Sequence, residues 1–211
     1  YQPKVNMRSG AIVGAEALLR LQHPERGLLS PEEFLRPLED HPLGIAVGEW
    51  VIDTALSQIE EWESNGLQIP ISVNVSSSQL QDPEFIDRLK TLFQHHRRVQ
   101  PSRLELEILE TSALRDLLQT AEVLEECHQM GVAIALDDFG TGYSSLTYLK
   151  RRPAHVLKID RSFVAGMLEN PEDKAIIEGV LSLAKAFDRQ VIAEGVETAE
   201  QALLLTELGC D

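Results

Sequence analysis

The sequence predicts an α/β fold: a (β/α)8 TIM-like barrel of parallel units with an antiparallel first strand. Three observations carry this. From Ile69 onward, short apolar runs alternate with longer helical patterns. Ahead of them, two strand-like runs are separated only by Arg8-Ser9-Gly10, which suits a hairpin and hence an antiparallel pair. The runs also end in polar or ionisable residues at positions that period two points inward. About seven strands result, where a closed barrel has eight.

In chain order, Tyr1 to Asn6 and Ala11 to Arg20 form the opening hairpin. Pro24 and Gly27 break the chain. Ser30-Pro31-Glu32-Glu33 starts a helix, with a cap, a proline at the first helical position and acidic residues in the first turn. Ile45 to Ser64 is a helix whose apolar stripe runs through Val47, Trp50, Val51, Thr54, Ala55, Gln58, Ile59 and Trp62, with both tryptophans expected in the core. Asn65-Gly66 ends it. The strands that follow are Ile69–Val75, Arg103–Leu109, Val132–Asp137, His155–Ile159 and Gln190–Glu194. The helices between and after them are Asp82–Arg98, Thr111–Met130, Ser144–Lys150, Pro171–Phe187 and Thr198–Leu208. No linker or repeat interrupts the series, so residues 1–211 read as one domain. His95 and His96 sit at a helix C-terminus, where cationic groups suit the dipole, and His41 and His128 lack partners at ligand spacing, so all four read as structural or solvated.

The stretch VAIALDDFGTGYSSL, Val132 to Leu146, concentrates the chemistry. An apolar strand ends in adjacent aspartates, Asp137 and Asp138, before a glycine-broken turn. Two carboxylates side by side repel each other and are costly to desolvate, a cost that a cation removes. Other strands place inward polar groups likewise: Glu16 with Leu18 and Arg20, Ser72 and Asn74, Glu105 and Glu107, Lys158, and Glu194. So many buried carboxylates need cations. Carboxylate and amide oxygens, with no cysteine or histidine at the strand ends, favour Mg2+ or Mn2+ over zinc. Two such ions suit phosphoryl displacement. Lys158 could orient the attacking water or stabilise charge on phosphorus. It could equally pair with Asp160 or a site carboxylate.

Composition narrows the partners. A formal net charge of −15 argues against a nucleic acid polymer or an anionic membrane. A small anionic ligand remains compatible, because metal ions reverse the local field. Two cysteines without a CxxC motif fit a reducing compartment, so a cytoplasmic domain is expected. Membrane anchoring elsewhere in a full-length protein stays open. The chain begins at Tyr1 without methionine and reads as a piece, truncated at both ends, of a larger multidomain signalling protein.

GAEALLR around Glu16, SVNVS around Asn74, LELEILE around Glu107, DDFGTGYSSL, LKID around Lys158 and AEGVE around Glu194 together resemble the EAL domain, in order and over nearly the whole chain. The resemblance implies a bacterial cyclic di-GMP phosphodiesterase with a barrel whose first strand is antiparallel. It implies that Glu16, Asn74, Glu107 and Asp137 hold one metal, and that Asp137, Asp138 and Glu194 hold a second. It implies hydrolysis of cyclic di-GMP to linear pGpG by in-line attack of a metal-activated water, with Lys158 positioning that water and Glu194 acting as base. Arg20 matches a phosphate-contacting arginine. Gln2, Leu18 and Glu197 match positions lining the substrate site. Glu110 matches a glutamate that holds the DDFGTG loop, near which such domains form homodimers. A fused sensory or diguanylate-cyclase (GGDEF) domain is a further expectation.

The sequence departs from the family at Leu109, where threonine is common, and at Leu21, where tryptophan is common. Neither is a ligand position, so an altered rate is expected rather than lost activity. The chain stops at LGCD, where the family continues into an eighth strand, expected from the rest of the protein. Two other readings stand beside the hydrolase: a catalytically silent cyclic di-GMP receptor, and an enolase-type lyase with Lys158 as base.

Overall fold

The computed structural model describes residues 1–35, 38, 41–110, 117–142 and 154–210. The expected helix over Ser144–Lys150, and the first residues of the one expected from Thr111, lie outside them. The described chain is a mixed α/β fold of two compact units. Among the described residues no helix is long and apolar enough to cross a membrane.

The first unit comprises residues 1–4, 12–106 and 126–133. Strand β1 (Gln2–Val5) lies beside β2 (Ile12–Ala17). A short turn joins them, closed by Asn6 N–H donating to the Ala11 carbonyl at 2.9 Å, so the pair is antiparallel as expected. Strands β3 (Leu21–His23) and β4 (Gly27–Leu29) form a small antiparallel hairpin that the pattern did not announce. The ring of His23 makes its turn, Nδ1 accepting from the amides of Glu25 and Arg26 at 3.2 and 3.1 Å. Helix α1 (Pro31–Phe34) starts at the expected cap, Ser30, which forms a capping box with Glu33.

Helix α2 (Pro42–Ser64) packs on β5 (Ile71–Asn74), α3 (Ser77–Leu80) and α4 (Phe85–His95). Its buried stripe is Gly48, Ile52, Ala55, Leu56 and Ile59, rotated from the expected one. Trp50 is thereby 57% exposed, against expectation. Trp62 instead meets the Tyr1 ring edge-on at 5.1 Å between centroids. Helix α4 starts later than expected because Asp82 forms a turn, its Oδ1 accepting from Glu84 N–H at 2.9 Å, while Arg88 pairs with Asp82, Glu84 and Glu49. Strands β2 and β5 are parallel, with Glu16 opposite Ser72. Strand β6 (Leu104–Leu109) leads on into the second unit, α5 (Leu117–Gln129) returns from it, and β7 (Ala133–Phe139) leads into it again.

The second unit comprises residues 5–11, 107–125 and 134–211. Within it β7, β8 (Val156–Ile159) and β9 (Gln190–Ala193) run parallel in that order. All four β8 residues are buried, the near-continuous burial expected of a covered parallel strand. Helix α6 (Arg161–Gly166), unforeseen, starts where Asp160 caps the Ser162 amide. It packs on α7 (Pro171–Ala186), and α7 covers β8 and β9 through Ile177, Val180 and Ala184. Helix α8 (Ala199–Leu208) follows a Thr198–Gln201 capping box.

Candidate active site

In the second unit the site forms around an ammonium group. Lys158, on β8, is 1% exposed. Its Nζ lies 2.6 Å from Glu107, 2.6 Å from Glu194 and 3.1 Å from Asp137. A lysine has three donors, and here three carboxylates surround it. Glu107 belongs to β6, Asp137 to β7, and Glu194 follows β9 directly. Lys158 therefore pairs with the expected site carboxylates, the alternative partner Asp160 being engaged elsewhere.

Strict alternation would send Asp138 to the opposite face from Asp137. The strand avoids this by a bulge. Leu136 pairs with Leu157 and Phe139 with Ile159, so Asp137 and Asp138 together stand opposite Lys158 alone. Asp138 takes φ 53°, in the left-handed region. Ligand oxygens of Asp137, Asp138 and Glu194 consequently lie within 4.8 Å of one another, a group that could hold a metal ion.

The electrostatics show why a cation suits this group. The Asp138 carboxyl is pushed up to about 6 by burial first, then by Asp137 and Asp160, with Lys158 opposing. Neighbouring Asp160, which burial would raise, is held below the usual carboxylate range by the Ser162 hydroxyl and amide and by Asp138. Glu194 is also raised, by burial and by Asp137 and Glu107, against the pull of Lys158. One ammonium thus faces more carboxylate charge than it can offset. An all-carboxylate donor set suits a hard divalent cation.

The raised Asp138 gives a pH prediction. A carboxyl whose folded pKa exceeds its unfolded value costs stability as it ionises. Stability of the metal-free chain should therefore fall as pH rises from about 4 to about 6. Thermal unfolding in chelator across that range, beside Asp138→Asn, checks it: the variant should show the smaller decline, and equal declines would refute the assignment.

Glu110, 3% exposed, accepts from the amides of Gly140 at 3.0 Å and Gly142 at 3.4 Å. It thereby ties down the turn after the two aspartates. Glu197 is exposed in the segment leading to α8.

In the first unit Asn74 Nδ2 donates to Glu16 Oε1 at 2.9 Å, so these two expected ligands meet each other. Arg20 is exposed and donates to the Leu19 carbonyl at 2.8 Å, Leu18 is half-buried, and Gln2 is exposed on β1. Glu105 has a partner the sequence reading missed. Lys4 Nζ lies 2.7 Å from its Oε1, and Ser72 Oγ donates to the same oxygen at 2.6 Å. Its half-buried charge is thus offset by a lysine. Gln2 and Lys4 share a strand face, and that spacing was the available signal.

Comparison with known proteins adds an independent line. The EAL domain family matches residues 1–211. The bifunctional diguanylate cyclase/cyclic di-GMP phosphodiesterase MucR of Pseudomonas aeruginosa is 42% identical over 212 residues, covering 100% of this chain and 31% of that protein. The cyclic di-GMP phosphodiesterase PA2567 of the same species is 36% identical, covering 100% of this chain and 36% of its own length. The chain therefore spans about a third of these curated relatives. A solved PaMucR phosphodiesterase in complex with c-di-GMP superposes with a TM-score of 0.96 at 42% identity, covering 100% of this chain and 85% of that one.

Proposed function

The chain belongs to the EAL domain family, and from that premise we propose that it hydrolyses cyclic di-GMP to linear pGpG with divalent metal. The observation that carries this reading is the bulged Asp137-Asp138 pair beside Lys158 and Glu194. Relatives named as cyclic di-GMP phosphodiesterases support the substrate.

In this reading Glu16, Asn74, Glu107 and Asp137 hold one Mg2+ or Mn2+, and Asp137, Asp138 and Glu194 hold another. When bound, the ions supply Lewis-acid charge at the phosphodiester and ease deprotonation of water. Glu194 is the general base that takes the proton from the attacking water. Lys158 orients Glu194 and Asp137 through its ion pairs. The water oxygen joins phosphorus, the opposite P–O bond breaks, and the released ribose oxygen takes up a proton. Glu110 keeps the Gly140–Gly142 turn, and hence the bulge before it, in place. Arg20 binds a substrate phosphate, with Gln2, Leu18 and Glu197 lining the substrate. A homodimer formed near the DDFGTG turn, and a GGDEF or sensory partner domain, belong to the same proposal.

Product analysis tests it. Cyclic di-GMP incubated with the chain and Mn2+ should yield pGpG, and none in excess chelator. Tight binding without product would instead establish a receptor. Arg20→Ala should weaken substrate binding about 10- to 100-fold, the size of one charge-assisted hydrogen bond. Titration of cyclic di-GMP checks this, and unchanged affinity would remove the phosphate contact.

A further inference from the structure

Gln201, in the first turn of α8, is 7% exposed, and its carboxamide is wholly engaged with backbone. Oε1 accepts from the amides of Glu197 at 2.8 Å and Thr198 at 3.1 Å. Nε2 donates to the Val164 carbonyl of α6 at 3.2 Å. The capping box accounts for the acceptor contacts, and glutamate would serve it equally. It does not account for the donor, which reaches another helix.

A second close approach binds the same segment to α6 from its other end. Gly195, immediately after Glu194, has φ 67°, and a Cβ there would lie 2.7 Å from Arg161 Cβ at the start of α6. Glu194 N–H also donates to the Ile159 carbonyl of β8 at 3.1 Å. Only Ile159 and Asp160 separate Lys158 from α6, and Asp160 is the residue that meets Asp138. Helix α6 is thus the common frame for Lys158, Asp138 and the segment that bears Glu194.

We propose that Gln201 is a positioning residue: its donation to Val164 fixes residues 194–198 on α6 and so sets Glu194 against Lys158 and Asp138. This rests on the proposed function. Loss of a group that orients a metal ligand costs about 10–100-fold in affinity or activity.

The test is Gln201→Glu, which keeps the capping acceptor, removes the donor and sets a carboxylate oxygen against the Val164 carbonyl. Isothermal titration of Mn2+ into the metal-free chain should show affinity about 10–100-fold weaker. With cyclic di-GMP, kcat should fall by a similar factor while KM holds. Gly195→Ala, which lifts the same segment from its other end, should share this signature and keeps the test open if the first variant fails to fold. Wild-type Mn2+ affinity and kcat in Gln201→Glu would overturn the bracket and leave Gln201 a helix cap. A wild-type chain that neither binds Mn2+ nor yields pGpG would overturn the proposed function, and the bracket's role with it.

Discussion

Lys158→Met should destabilise the metal-free chain by about 3–5 kcal/mol at pH 7, the range for removing one member of a buried ion pair. The side chain is 1% exposed, and its removal leaves Glu107 and Asp137, both buried, without their ammonium. A divalent cation should restore part of the loss, because it supplies charge to the same oxygens. Urea denaturation at pH 7, with chelator and with Mn2+, measures both. Wild-type stability in the variant would refute the ammonium's role as the counter-charge of the site.

Glu194→Gln should behave oppositely. Its carboxylate is raised because burial outweighs the pull of Lys158, so a neutral isostere should not lower the stability of the metal-free chain. Turnover should instead drop by about 10²–10⁴-fold from the lost base alone. Weaker metal binding would add to that, while cyclic di-GMP still binds. Kinetics of pGpG release beside a binding titration separate the two effects. Near-normal turnover would refute Glu194 as the base.

The contrast between these substitutions shows what the sequence displayed and what it hid. That Glu107, Asp137, Lys158 and Glu194 end parallel strands was legible, since alternation and βα order are local patterns. That Asp138 joins them was read from the adjacent pair and the resemblance, not from alternation, because it needs a bulge that breaks the alternation from which inward positions are read. Lys4 and Glu105 were hidden as a pair because 101 residues separate them, and only the folded chain brings them together. Trp50 misled because its bulk and spacing suited an apolar stripe. The helix turns smaller residues inward instead, Gly48 and Ala55 among them, where it packs on α3 and β5. Gln201 reads in sequence as an ordinary capping-box residue, and only its contact with Val164 distinguishes it.

The most direct test is anomalous diffraction from crystals of the chain grown with Mn2+ and a non-hydrolysable cyclic di-GMP analogue. The expected result is an anomalous peak in coordination distance of Asp137, Asp138 and Glu194, with substrate phosphate beside it. No Mn2+ at Asp137, Asp138 and Glu194, with Lys158 and the carboxylates closed on one another at saturating Mn2+, would contradict a metal-dependent phosphodiesterase.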